Sequence, residues 1–451
     1  MSVRPPLTSP LALTSPSTVT VIGWDGRPPT PAAVRALAAA TLVLGGRRHL
    51  DAVAPFLTGN AQTVTFGNVT AGLAALTAHL AAGGGPAALL ASGDPGFFGI
   101  LRALRRHLLD SGHDPDAPGG PGIEILPAAS SVTLAFARAG LPWDDAIVVS
   151  AHGRRLGPAV NACRAHHTVA VLTGPASGPA ALGAALGSLR RRMFVAEELG
   201  TPTERTTWCT PRQAAARHDW RDPNVVVVVD AGGPGTGRPT SEEHNPAGWL
   251  FPHRASPPGW ALPEAAFTHR DSMISKFEVR AMALARLGPA PGDLIWDVGA
   301  GSGAVAVECA RLGAAVIAVD RDRDASERTQ ANARAHGVAV EVVLGAAPGV
   351  LADLPTPDAV FVGGGGPDVV AACARRACRT VVVALAALDR VRPTWDALAG
   401  AGFEVAGSQL AAARLRPLPD GALRLAATNP VVLLWGAHAG KHDAGKHDVS
   451  R

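Results

Sequence analysis

Residues 295–303, IWDVGAGSG, place three glycines at alternate positions, Gly299, Gly301 and Gly303, directly after an apolar run. Asp297 precedes the turn, and a second acid, Asp320, closes the run VIAVD. Glycine turns of this kind let a ligand approach the backbone, because glycine enters the left-handed region and carries no side chain. The spacing admits a dinucleotide, whose fingerprint is Gly-x-Gly-x-x-Gly, with Ala304 here at the last position. The acids point elsewhere. A carboxylate at 297 would repel a pyrophosphate, whereas the ammonium and sulfonium of S-adenosylmethionine would both be attracted to it. Asp320 is placed for ribose hydroxyls. The residues thus predict an S-adenosylmethionine site built from Asp297, Gly299, Gly301, Gly303 and Asp320. NAD or FAD, or a purely structural turn, are the alternatives.

The class of methyl acceptor is read from the stretch after the fourth strand. Enzymes that methylate base amines often carry an Asn/Asp-Pro-Pro-Tyr loop there; this chain has DAVFVGGGG at 358–366. It has no polar acceptor side chain and no aromatic beyond Phe361 in the strand itself, so no platform for a base. It also lacks a cysteine nucleophile. Four glycines leave room for a large, flat, electron-rich small molecule. The net charge of +4 is small for 451 residues and forms no basic stripe, so a nucleic-acid partner is not expected. Of 41 basic residues only Lys276, Lys441 and Lys446 are lysine, which singles out Lys276 ahead of the tail. With Arg280 and Arg154 it is a candidate to meet an anionic substrate, surface solvation being the alternative for each.

A second small-residue turn, ASGDPGFFG at 91–99, also follows an apolar run. Alone it is as readily a structural turn, and Asp94 could cap the following helix as well as touch a cofactor. It has company in fixed order: VIGWDG at 21–26, PAASS at 127–131, SAHGR at 150–154, TGPASGP at 173–179 and AEELGTPTERT at 196–206. His152 is read either as a satisfied structural histidine or as a substrate contact.

These turns need strands to aim them. VTVIGW, LLAS, GIEIL, AIVVS, TVAVL and NVVVVVD read as strands alternating with helices, the last buried on both faces. Thr30 followed by Pro31 marks a helix start. The glycine- and proline-dense stretch 233–266 reads as a linker whose Trp249 and Trp260 pin it to a surface. SKFEVRAMALARLG then reads as a helix packing through Phe277, Met282, Leu284 and Ala285, with Lys276, Glu278 and Arg280 pointing elsewhere. Strands and helices alternate again to a doubly wound sheet, ending in a hairpin-like pair near 403–413 and 422–436. The expected organisation is a disordered extension at 1–17, one α/β domain at 18–232, the linker, a second α/β domain at 267–437, and a disordered tail at 438–451. Five scattered cysteines without a CxxC pair predict buried thiols rather than disulfides or a metal site. Neither a signal peptide nor an apolar run of eighteen residues is visible, so a cytoplasmic protein without a membrane partner is expected.

The ordered motifs of the first half resemble the tetrapyrrole methylase family, specifically its cobalamin-pathway members. MISKFEVRAMALARL, IWDVGAGSG, GAAPGVL, PDAVFVGGGG and TNPVVLLWG resemble the Rossmann-like decarboxylating methyltransferases that act beside them. Together the two cover roughly residues 19–436. The resemblance implies a two-lobed N-terminal domain holding one S-adenosylmethionine through Gly23, Gly93, Asp94, Pro95, Ser130 and Ser131. It implies a C-terminal domain holding a second, with Ser275 and Lys276 near its carboxylate. Lys276, Arg280 and His152 are the residues assigned to catalysis. The implied substrate is a tetrapyrrole, precorrin-6Y, methylated at carbons 5 and 15 and decarboxylated at the carbon-12 acetate; a homo-oligomer is implied as well. An RNA methyltransferase with a degenerate first domain, or a non-catalytic tetrapyrrole scaffold, are the rivals. Trp24 and Asp25 after Gly23, Ala346, and Phe277 depart from the usual pattern of these families.

Overall fold

The computed structural model describes residues 18–187, 189–231, 259–270 and 274–438. The extension at 1–17, Trp249 with most of the linker, and the tail beyond 438 lie outside the described residues. The chain forms two compact units, 1–142 with 194–208 and 219–227, and 143–193 with 209–218 and 228–451. The stretch Trp143–Met193 thus groups with the C-terminal half. Asn161 donates to the carbonyl of Gly292 at 2.9 Å and Arg164 to Glu341 at 2.7 Å.

The first unit carries strands β1 (Val19–Trp24), β2 (Leu42–Gly45), β3 (Gln62–Thr65), β4 (Ala87–Ser92) and β5 (Ile123–Leu126), in the order β3-β2-β4-β1-β5. Neighbouring strands run parallel. Apolar residues alternate into two layers, Val19, Val21 and Leu89 on one face, Ile22, Val43 and Leu90 on the other, each covered by helices. Thr30 caps the helix Pro31–Ala39 as expected, accepting from the amide of Ala33. Strands β6 (Ile147–Ser150), β7 (Thr168–Leu172), β8 (Arg191–Glu197), β9 (Arg205–Cys209) and β10 (Asn224–Asp230) form a second sheet, ordered β6-β7-β10-β8-β9.

The C-terminal sheet consists of β11 (Leu294–Val298), β12 (Ala315–Asp320), β13 (Glu341–Leu344), β14 (Ala359–Val362), β15 (Thr380–Leu385), β16 (Glu404–Leu410) and β19 (Val431–Ala437). Its order is β13-β12-β11-β14-β15-β19-β16, parallel through β15 and antiparallel at the last two. The order reverses between β11 and β14, where open α/β sheets bind ligands outside their strand ends. Leu294, Trp296 and Val298 enter one core layer and Ile295 the other. The final pair is the expected antiparallel one, but a separate ribbon of β17 (Ala413–Pro417) and β18 (Leu423–Ala427) interrupts it. Its PLPDG turn at 417–421 reverses the chain within what reads as one strand-loop-strand passage.

Two other expectations differ. The end of the linker packs into the second core: Leu262 and Phe267 are buried with Ile274, Ala304, Val307 and Ala333, while Trp260 is exposed. In the helix Phe277–Leu287 the buried stripe is Val279, Arg280, Ala283, Leu284 and Leu287, with Phe277 outside it. The 3.6-residue repeat from Val279 carries position 280 inward. Arg414 covers the exposed Phe277 ring at 4.7 Å and pairs with Glu264 and Glu278.

Candidate active sites

In the first unit, three loops meet at the strand ends. Gly23, near the end of β1, lies so close to the next loops that a Cβ there would stand 2.3 Å from the carbonyl of Gly93 and 2.7 Å from the amide of Ala128. Gly93 has φ +62° and donates to the carbonyl of Trp24 at 2.7 Å; its own Cβ would approach Ser130 Cα at 3.1 Å. Gly23, Gly93, Pro95 and Ser130 are therefore brought together as read from the sequence. Asp94 does not cap a helix. It closes its own turn by accepting from Gly96 at 2.7 Å, because the helix starts only at Leu101. Ser130 is the N-cap of Ser131–Ala139, accepting from Thr133 at 3.0 Å, and is buried.

Sequence reasoning misses a cluster beside them. Arg48 donates to the Ser92 hydroxyl at 2.7 Å, and the His49 ring lies 3.3 Å from the same oxygen. Burial, then the Arg48 charge, push the His49 imidazole down to about 4, so it is neutral at pH 7. The signal is present as GRRH immediately after β2. His152 is exposed, and its Nδ1 is 3.0 Å from the Thr173 carbonyl, an anchor that fixes the ring.

In the C-terminal sheet, Gly299, Gly301 and Gly303 all sit at positive φ, +75°, +60° and +71°. A Cβ on Gly299 would meet the Gly364 amide at 2.7 Å, and one on Gly303 would meet Thr329 at 2.5 Å. At Gly301 nothing lies within 4 Å, so this glycine opens onto free space. Asp320, half-buried at the end of β12, accepts from the Gly301 amide at 2.8 Å and from Asp322 at 2.9 Å, which fixes its carboxylate beside that opening. Asn332 ties the turn from behind, bonding Ser302 and Thr268.

Asp297 is placed differently from the expectation. It is 1% exposed and lies under the turn, where Oδ2 accepts from Ala306 at 2.9 Å near the start of the helix Ala304–Arg311; Oδ1 has no protein partner. Burial raises its carboxyl to about 7. Position 297 alternates with 296 into the helix-covered layer, so the side chain faces the helix rather than the surface.

Arg280 is also corrected. It is fully buried, donating to the carbonyls of Ser275 at 2.6 Å and of Leu262, with its Nε 3.5 Å from Glu308. Such a residue holds backbone and is not available to a substrate. Glu308, also fully buried, accepts from the amides of Ala261 at 3.1 Å and Leu262 at 2.7 Å. Together they set the path of Ser275 and of Lys276, which is half-buried at the N-cap of its helix.

The glycine turn with an open Gly301, flanked by a fixed carboxylate, fits a cofactor bearing ribose hydroxyls and cationic groups. Comparison with known proteins agrees over both halves. The family of tetrapyrrole (corrin/porphyrin) methylases matches residues 29–215, and the precorrin methyltransferase domain family matches residues 265–414. A precorrin-6Y C(5,15)-methyltransferase (decarboxylating) from Sinorhizobium sp is 35% identical over 372 residues, covering 79% of this chain and 80% of that protein. The chain belongs to the precorrin-6Y C(5,15)-methyltransferase (decarboxylating) family. A Mycobacterium tuberculosis protein of the same name is 36% identical over 294 residues, 63% of this chain and 66% of its own. A cobalt-precorrin-7 C(5)-methyltransferase from Salmonella typhimurium is 32% identical over 205 residues, 45% of this chain and 92% of its own. Membership in the precorrin-6Y C(5,15)-methyltransferase family makes the chain an S-adenosylmethionine-dependent C-methyltransferase. Among the described residues no helix is long and apolar enough to cross a membrane.

Proposed function

We propose that the chain acts in cobalamin (vitamin B12) biosynthesis, methylating precorrin-6Y at carbons 5 and 15 with two molecules of S-adenosylmethionine. It also releases the carboxyl of the carbon-12 acetate as carbon dioxide, giving precorrin-8X. The match over four-fifths of a relative whose name couples both methylations to decarboxylation carries this reading. The carbon-5 methylation is assigned to residues 18–232, with cofactor held by the loops of Gly23, Gly93–Pro95 and Ser130–Ser131. The carbon-15 methylation and the decarboxylation are assigned to 267–437, with cofactor held at Gly299–Gly303 and Asp320 and approached by Ser275 and Lys276.

When bound, S-adenosylmethionine supplies an electrophilic methyl group. The acceptor carbon belongs to an electron-rich conjugated system and needs no protein nucleophile, so the chain's task is to orient the partners and exclude water. Gly301 would admit the cofactor and Asp320 would accept from its ribose hydroxyls, while Asp297 braces the helix under the turn. In decarboxylation the bond between methylene and carboxyl breaks and its electron pair passes to the macrocycle's imine. Carbon dioxide leaves and the methylene takes a proton. We place the enzyme in the cytoplasm as a homo-oligomer acting on a small molecule, not on nucleic acid.

Incubating the full-length chain with precorrin-6Y and excess S-adenosylmethionine tests this by mass spectrometry. Gain of two methyl groups with loss of one carbon dioxide is expected. An unchanged tetrapyrrole, with cofactor bound, would refute it.

A further inference from the structure

At the C-terminal ends of β14 and β15 lies a cavity of about 320 Å³, lined by the glycines 363–366 with Val370, Leu385 and Arg390 among others. That volume is at the low end for small-molecule sites, enough for one edge of a large ligand. Two of its glycines have no structural reason to be glycine. Gly366 has φ −106°, and a Cβ there would meet nothing within 4 Å; a Cβ on Gly364 would make only an ordinary contact, 3.8 Å from Gly299 Cα. Side chains are absent where the protein itself would tolerate them, which leaves the mouth clear.

The lining contains one charged residue, Arg390, and no acid. Arg390 is exposed, donates to the carbonyl of Gly365 at 3.2 Å, and makes no ion pair among the described residues; its neighbour Arg392 is the one that pairs, with Asp396. A guanidinium tethered at one nitrogen beside aliphatic walls keeps its remaining N–H groups for a carboxylate, which it matches in shape and charge.

We infer that this cavity takes a carboxylate-bearing edge of the tetrapyrrole, with Arg390 gripping the carboxylate and Gly364 and Gly366 leaving room for the ring. The inference rests on the functional reading above and names where its second site holds the substrate. It also fits the reaction in space: Gly299 of the cofactor turn lies directly against Gly364 of the cavity, so cofactor and substrate edge would meet across that contact.

Steady-state kinetics of full-length Arg390→Met, Arg390→Lys and Gly366→Leu test it, with precorrin-6Y as substrate and S-adenosylmethionine affinity measured by calorimetry. Arg390→Met is expected to raise the KM for the tetrapyrrole roughly ten- to hundredfold, the range for a lost charged hydrogen bond. Arg390→Lys should recover part of that. Gly366→Leu should stop the carbon-15 methylation and the decarboxylation, so that the tetrapyrrole keeps its carbon-12 carboxyl. Cofactor affinity should stay within about twofold in all three, a change well under that of a lost contact. Wild-type kinetics in both Arg390→Met and Gly366→Leu would overturn the inference while leaving the functional reading standing. A wild-type chain that binds cofactor but leaves precorrin-6Y unchanged would overturn both.

Discussion

Glu308→Ala is the sharpest test of how Ala261, Leu262 and the helix Phe277–Leu287 are held to the C-terminal core. Glu308 is 0% exposed and accepts from the amides of Ala261 and Leu262. Two guanidiniums depend on it, Arg280 at 3.5 Å and Arg311 at 3.4 Å. Desolvation already pulls the Arg280 pKa down, and Glu308 is the main group opposing that. Removing the carboxylate leaves a buried arginine without its main counter-charge, Glu264 and Glu278 contributing less, and breaking a buried pair in this way costs about 3–5 kcal/mol. Global unfolding of a two-domain chain is a poor gauge of this, since it is not two-state. Hydrogen exchange at Leu262 is better, because its amide donates directly to Glu308. Each 1.4 kcal/mol is a factor of about ten, so the amide should exchange roughly 10²- to 4 × 10³-fold faster in Glu308→Ala. The double variant Arg280→Met, Glu308→Leu should exchange more slowly than Glu308→Ala, since one of the two buried guanidiniums that face Glu308 is then removed with it. Unchanged exchange in Glu308→Ala, or a double variant worse than the single, would refute the reasoning.

Gly23→Ala puts a Cβ between two backbone groups at 2.3 and 2.7 Å, so on the proposed assignment the carbon-5 methylation should be lost while the carbon-15 methylation persists, read as a single added methyl with decarboxylation intact. Gly303→Val combines φ +71° with a 2.5 Å approach to Thr329; if the chain holds the two S-adenosylmethionine sites proposed, one of two binding events in calorimetry should disappear. The pH dependence of stability carries a mark of Asp297. Its carboxyl titrates at 3.8 when unfolded and at about 7 when folded, so its contribution is complete below pH 3.8 and is lost as pH rises through about 7. The loss is on the order of 4 kcal/mol. Asp297→Asn should flatten the thermal stability profile across that window; a profile identical to wild type would contradict the role given to burial.

The glycine turns are legible in the sequence because their function and their geometry coincide: three positive φ angles in five residues leave few options but glycine. Strand runs such as NVVVVVD are legible for the same reason, their pattern following from burial on both faces. Arg280 is not. As a charged residue on a helix it reads as surface, and only the buried Glu308 and the carbonyl of Leu262, 18 positions away, make its burial sensible. Asp297 reads as facing a ligand, because the sequence shows its position at the strand end but not to which layer the pleat turns it. The β17–β18 ribbon merges into its neighbours on the page, since alternating Arg and Leu on an exposed ribbon carries no burial pattern to separate it.

The packing of Leu262 and Phe267 bears on where the chain can be divided. The seam suggested by composition ends at 266, yet a second half beginning at 267 would lose Leu262 from its core and the amides that occupy Glu308. It would also lose Glu264, which accepts from Arg414 at 2.7 Å and from the Phe277 amide at 3.2 Å. The working boundary therefore falls before 261. A separately expressed second half must therefore keep these residues.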